Sequence, residues 1–154
     1  YIKIMKYFTI NELCRSTVAA SLNIDNTPNK YQKENLIELV ENLLDPIRDS
    51  WSEYCKTNHL GNPGIRINSG YRSKQLNEAV NGSKTSSHLL GLAVDIVPIN
   101  GQMKAFQEWL VDELSKYPFD QMIREKVKNG IAQWIHLGYR NSKGEQRRQI
   151  FTLI

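Results

Sequence analysis

Cysteine is scarce: Cys14 and Cys55 are the two in 154 residues. Two thiols build no disulfide framework, so both are read as free and structural. Histidine is as sparse, with His59, His88 and His136. Such poverty in Cys and His excludes a zinc-finger type of fold, and any metal site has to recruit carboxylates. No apolar run reaches about 18 residues, which excludes a membrane-spanning helix. There is no repeat, no low-complexity segment and no linker between domains. Tyr1–Lys6 holds no h-region, because Lys3 and Lys6 interrupt it, and no signal peptide is expected. Synthesis in the cytoplasm follows, which suits two free thiols. Met5 opens MKYFTINEL like a natural start, so residues 1–4 read as a non-native or upstream extension. Excess charge is also small, with 20 Lys+Arg against 16 Asp+Glu and a net +4. That is compatible with an anionic partner and identifies none.

What is present is ordinary for one soluble domain over 1–154. Hydrophobic residues make up 40% and charged residues 23%, and the length suffices to bury a core unaided. Thr9-Ile10-Asn11-Glu12 has capping-box spacing and predicts a short helix to about Ser16 or Ala20. NIDNTPN, residues 23–29, is a loop. Leu36, Leu39, Val40, Leu43, Leu44, Ile47, Trp51 and Tyr54 keep helical period over about 29–57. Pro46 inside it predicts a kink, since the stripe stays in phase; the alternative is a new helix capped by Asp45. Further along, a strand is expected at 65–68, a short helix at 73–80 and a polar loop at 81–87. A strand at 91–98 and a helix at 102–116 follow, then strands at 119–124, 131–139 and 149–154. Helices first and strands last argue α+β with an antiparallel sheet.

Two polar residues stand where apolar ones belong. Asp95 lies inside the strand GLAVDIVP, on the face opposite Val94 and Ile96, and a buried carboxylate needs a partner. In Trp134-Ile135-His136-Leu137, alternation puts His136 opposite the face of Ile135 and Leu137. His88 lies seven residues before Asp95, with Gly91 between them to permit a turn. Two histidines and an aspartate make a three-ligand set with an open fourth position, the pattern of a catalytic zinc site. The plainer reading is a salt-bridged aspartate and satisfied core histidines. His59 fits a helix end, where imidazole meets the last carbonyls.

Ser86-Ser87-His88-Leu89-Leu90-Gly91-Leu92-Ala93-Val94-Asp95 resembles the S-x-H-x-x-G-x-A-x-D signature of the zinc D-Ala-D-Ala carboxypeptidases. These peptidoglycan peptidases share a fold with lysostaphin and the hedgehog signalling domain. Ser69-Gly70-Tyr71-Arg72-Ser73 is similar to their upstream S-G-Y-R-S element, and Trp134-Ile135-His136 to their terminal W-x-H. Phe119–Glu125 (FDQMIRE) and the amino-terminal KYFTINELCRS resemble a phage and prophage-associated branch.

The resemblance implies a hedgehog/D-Ala-D-Ala-peptidase-like α+β fold, with helices packed on one side of an antiparallel sheet. It implies zinc held by His88, Asp95 and His136. It makes Arg72 the residue that polarises the scissile carbonyl or holds a substrate carboxylate. It gives Ser86 contact with substrate or a turn role, and lets Trp134, Tyr71 and Tyr139 line the cleft or join the core. Better-known members carry an acid three positions before the last histidine. Here that position is Gln133, which takes no proton from water, so Glu125 is read as the general base. Asp120 is a weaker candidate and reads as structural.

The implied activity is hydrolysis of a peptide bond in peptidoglycan stem peptides. A terminal D-Ala-D-Ala bond would make a carboxypeptidase, and an internal L-Ala-D-Glu or cross-bridge bond an endolysin-type endopeptidase. The alternative is a non-catalytic zinc-containing module that docks on peptidoglycan. A monomer acting at the cell wall, after holin-type release, completes the expectation. Nucleic acid is not an expected partner: the basic tail Arg140–Arg148 lacks a motif and reads as a solvated turn.

Overall fold

The protein is described by a computed structural model covering residues 5–154, so the proposed extension at 1–4 lies outside the described residues. Thr9 caps α1 (Ile10–Cys14), its hydroxyl accepting the Glu12 N–H at 3.1 Å. The single helix expected here is in fact two. Arg15 is extended, and Ser16 caps α2 (Thr17–Ser21) by accepting the Ala19 N–H at 3.1 Å. A second serine-type cap inside the segment restarts the helix on a new axis. The reciprocal capping box belongs instead to Asn29 and Gln32, at the start of α3 (Lys30–Leu39).

A π-turn at Val40–Leu44 joins α3 to α4 (Asp45–Asn58) without a break. Pro46 has no N–H to donate, and the wider turn just before it lets the helix pass the ring. Asp45 does not act as an N-cap. Its carboxylate accepts the backbone N–H groups of Lys6 at 2.7 Å and Tyr7 at 3.1 Å, tying the amino-terminal segment to the helix. His59 ends α4 in a left-handed conformation, its backbone N–H donating to the Cys55 carbonyl.

β1 (Ile65–Ser69), α5 (Lys74–Ala79), β2 (Ala93–Pro98), α6 (Met103–Glu113), β3 (Gln121–Glu125), β4 (Trp134–Gly138) and β5 (Gln149–Thr152) follow. The five strands form one sheet in the order β1-β2-β4-β3-β5. The first three pairings are antiparallel, but β5 runs parallel to β3, so the sheet is antiparallel except at that edge. The chain from β4 crosses back over β3's end to reach it, a long-range choice that strand periodicity does not contain.

Alternation sorts the two faces of the sheet. Val94, Ile96, Met122, Ile135 and Leu137 join one core with Leu36, Leu43 and Trp51 of the long helix and Phe106 and Leu110 of α6. Burying that apolar area is the dominant favourable term in folding. The long helices therefore cover one side, and the opposite side presents Asp95 and His136. Both cysteines are free. Burial pushes the Cys14 thiol up to about 11, which removes it from thiolate chemistry. Among the described residues no helix is long and apolar enough to cross a membrane.

Candidate active site

Asp95 and His136 face each other across the β2–β4 ladder as register partners. Residues directly opposite on one face of a pleated pair bring their side chains together. His136 Nδ1 lies 3.2 Å from Asp95 Oδ1. His88 reaches the same oxygen from outside the sheet. It sits on the 3-10 turn Ser87–Leu90, which Ser86 caps by accepting the His88 N–H at 3.2 Å. Gly91 ends the turn at φ 73°, and a Cβ there would lie 2.7 Å from the Gln32 carbonyl oxygen. Only glycine meets both demands at once.

The His88 ring is 2% exposed, and its Nδ1 lies 2.7 Å from the Gly70 carbonyl. A carbonyl can only accept, so Nδ1 carries the proton, and in the neutral ring Nε2 keeps a lone pair. Gly70 itself is pressed against the amino-terminal segment, where a Cβ would stand 2.1 Å from the Leu13 carbonyl oxygen. His88 Nε2 lies 3.3 Å from Asp95 Oδ1 yet has no hydrogen-bond partner and is buried. A lone pair faces a carboxylate oxygen there, and a cation between them relieves that repulsion. The donor atoms of His88, Asp95 and His136 all lie within 4.8 Å of one another. Two neutral imidazoles and one carboxylate suit zinc, and the Gly70 contact supplies the outer hydrogen bond that orients a ligating histidine.

Burial alone would raise the Asp95 carboxyl. The two histidines beside it outweigh burial and hold Asp95 well below the usual carboxylate range. Asp95 Oδ2 also receives Arg72 Nη2 at 3.4 Å. The other arms of Arg72 donate to Ser69 Oγ at 3.0 Å and to Asn77 Oδ1 at 2.9 Å. Burial lowers the Arg72 pKa, while the charges of Asp95 and Glu125 oppose that shift. Asn77 is itself buried and donates to the Ser83 carbonyl at 2.9 Å. It escaped the sequence reading, because one polar residue in a short, Ser-capped helix carries no periodic signal. Arg72 also donates its backbone N–H to the His88 carbonyl at 3.0 Å, so both elements of the signature share one frame.

A cleft of about 750 Å³ brings Arg72, Ser86, His88, Asp95, Glu125, Trp134 and His136 together. Glu125 stands opposite Trp134 in the β3–β4 ladder, and the indole Nε1 donates to its Oε2 at 2.5 Å. Gln133 is exposed and stays out of that lining. Tyr71 and Tyr139 join the core, which leaves Trp134 as the aromatic of the cleft. Asp120 is buried in a two-bond pair with Arg147, at 2.8 Å to both Nε and Nη2, in keeping with a structural part.

The basic tail is exposed over residues 142–145, in keeping with a solvated turn, and its arginines also reach back to the fold. Arg140 pairs with Glu38, and Arg148 donates to the carbonyls of Tyr117 at 2.7 Å and Leu114 at 3.2 Å. Arg147 also borders the cleft. The partners of Arg140 and Arg148 lie 31 to 102 positions away along the chain, beyond the reach of local charge patterning.

The family described as Peptidase M15 matches residues 6–138. That is most of the chain, and the chain belongs to this peptidase family. It is therefore a hydrolase of the metallopeptidase kind, and His88, Asp95 and His136 form a cluster that could hold a metal ion. Among curated proteins no match is found.

Proposed function

From that membership we propose that the chain is a zinc-dependent peptidase that hydrolyses a peptide bond in peptidoglycan stem peptides. The observation that carries this reading is the buried His88 Nε2, unpartnered and aimed at Asp95 and His136. His88, Asp95 and His136 would hold the ion. Zinc bound there supplies Lewis acidity, which acidifies water and polarises a carbonyl.

The chain's own residues supply the rest. Glu125 accepts the proton of the attacking water and returns it to the leaving amine. Its Oε2 is held by Trp134, which leaves Oε1 for that transfer. Arg72 retains its charge and offers planar donors to the oxyanion that develops on the carbonyl, or to a substrate carboxylate. Ser86 lines the cleft while capping the His88 turn, so one hydroxyl serves the fold and borders the substrate. The bond cleaved is either the terminal D-Ala-D-Ala bond or an internal bond of the endolysin type. The same proposal has the protein act as a monomer at the cell wall, after synthesis in the cytoplasm and holin-type release.

A second reading rests on Gln133: with no acid at that position, the domain could hold zinc and dock on peptidoglycan without cleaving. Mass spectrometry of peptidoglycan digested with and without chelator separates the two. The peptidase reading expects new stem-peptide fragments that chelation abolishes and zinc restores. It also expects Glu125→Gln to lower kcat by about a hundredfold or more. Intact peptidoglycan after digestion by the zinc-loaded protein would support the docking module instead.

A further inference from the structure

We propose that the groove between α2 and β1 is a subsite for a carboxylate of the substrate, and that Arg15 is the residue that reads it. This deepens the peptidase reading and rests on it.

The groove has a volume of about 500 Å³, and Arg15, Asn68, Arg72, Trp134, Val18 and Leu76 are among the residues that line it. Arg72 and Trp134 also line the cleft of the metal cluster. One extended peptide can therefore touch both. Two cations border the groove and no carboxylate does. The charge of Arg72 is directed at Asp95. Among the described residues the arginines in ion pairs are Arg72, Arg140 and Arg147, and Arg15 is not one of them. A cation in no ion pair, beside apolar Val18 and Leu76, suits a short aliphatic segment ending in a carboxylate.

The backbone that carries Arg15 is built into place. Arg15 sits between the last residue of α1 and the Ser16 cap of α2, in extended conformation. Asn26 locks that junction to the Arg72 segment. Its Nδ2 donates to the Cys14 carbonyl at 2.8 Å and to the Tyr71 carbonyl at 3.0 Å, and its Oδ1 accepts the Ser73 N–H at 2.7 Å. The position of Arg15 relative to the cleft is thus set by the residues flanking Arg72. This also gives a reason for the break between α1 and α2, which turns the chain at Arg15.

Stem peptides offer carboxylates of two kinds, on an internal acidic residue and at the C-terminus. The test uses synthetic stem peptides in three forms: free acid, amidated at the acidic residue, and amidated at the C-terminus. Cleavage kinetics and calorimetric binding are measured for the wild type, Arg15→Gln and Arg15→Lys. The wild type is expected to favour the free acid over one of the two amides by about tenfold, as a partly solvated charge-assisted contact allows. That preference should lie in KM rather than kcat and shrink with added salt. Arg15→Gln should abolish it, and Arg15→Lys should restore part. The amide that is discriminated against identifies the carboxylate. Cleavage by the wild type with no preference, or a preference that survives Arg15→Gln, overturns the subsite and leaves the peptidase reading standing. Arg15-dependent binding of the free acid without cleavage supports the subsite and overturns the peptidase reading. No binding of any form overturns both.

Discussion

At Arg72 three guanidinium nitrogens meet three different acceptors, on Ser69, Asn77 and Asp95. A side chain held this way is aimed before substrate arrives, and electrostatic stabilisation depends on that aim. Gly82 is what makes room for it. A Cβ at Gly82 would lie 2.0 Å from Asn77 Oδ1 and 2.8 Å from Arg72 Nη1. Asn77 is buried and tied to Ser83, so it cannot swing aside. We expect Gly82→Ala to lower kcat/KM by about tenfold or more while zinc binding persists, because the arginine moves and the ligands do not. Zinc titration beside steady-state kinetics checks this; wild-type turnover in the variant would show that Arg72 needs no such aim. Asp95 and His136 of the candidate metal cluster were legible in the sequence, since an aspartate in an apolar strand and a histidine on the polar face of another are anomalies of periodicity. Asn77, Asn26 and Gly82 were not, because their importance lies in contacts and clearances that only the folded chain creates.

Among the elements, the 3-10 turn Ser87–Leu90 brings His88, the third residue of the candidate metal cluster, to Asp95 and His136. Its two ends are a serine cap and a left-handed glycine packed on the Gln32 carbonyl. Gly91→Ala meets a positive φ and a 2.7 Å contact with backbone together. We expect it to cost about 1–3 kcal/mol of stability and to weaken zinc binding, read by urea denaturation and metal titration. A variant that unfolds like the wild type would mean that the turn tolerates a Cβ. Strand alternation placed Val94 and Ile96 apart from Asp95, and Ile135 and Leu137 apart from His136, and the structure keeps that division. The long helix kept its phase across Pro46 as its apolar stripe required. Less was legible where pairing is non-local. Nothing in Gln149–Thr152 says that it runs parallel to β3, and the break at Arg15 depends on Ser16 acting as a cap rather than as a helix residue.

Across the whole molecule the carboxy-terminal segment is fastened through arginines. Arg147 binds Asp120, and Arg148 binds carbonyls at the end of α6 and beyond it. Burial would raise the Asp120 carboxyl, but the hydrogen bonds from Arg147 prevail and lower it. A carboxylate with a depressed folded pKa adds stability at pH above its ordinary value, and loses it as pH falls through the folded one. Asp120→Asn should therefore be less stable than the wild type by about 1–3 kcal/mol near neutral pH, Arg147 being partly solvated. The gap should close as pH drops below the ordinary value of 3.8. Thermal melts from neutral pH into acid test this, and a gap that stays constant would remove the pair from the acid response.

The central claim is that His88, Asp95 and His136 form one zinc site. The most direct measurement is calorimetric titration of zinc into metal-free protein, for the wild type and for His88→Ala, Asp95→Ala and His136→Ala. The account predicts about one zinc per wild-type chain, and affinity weakened by about a hundredfold or more in each variant. Zinc bound with wild-type affinity by all three variants would contradict it.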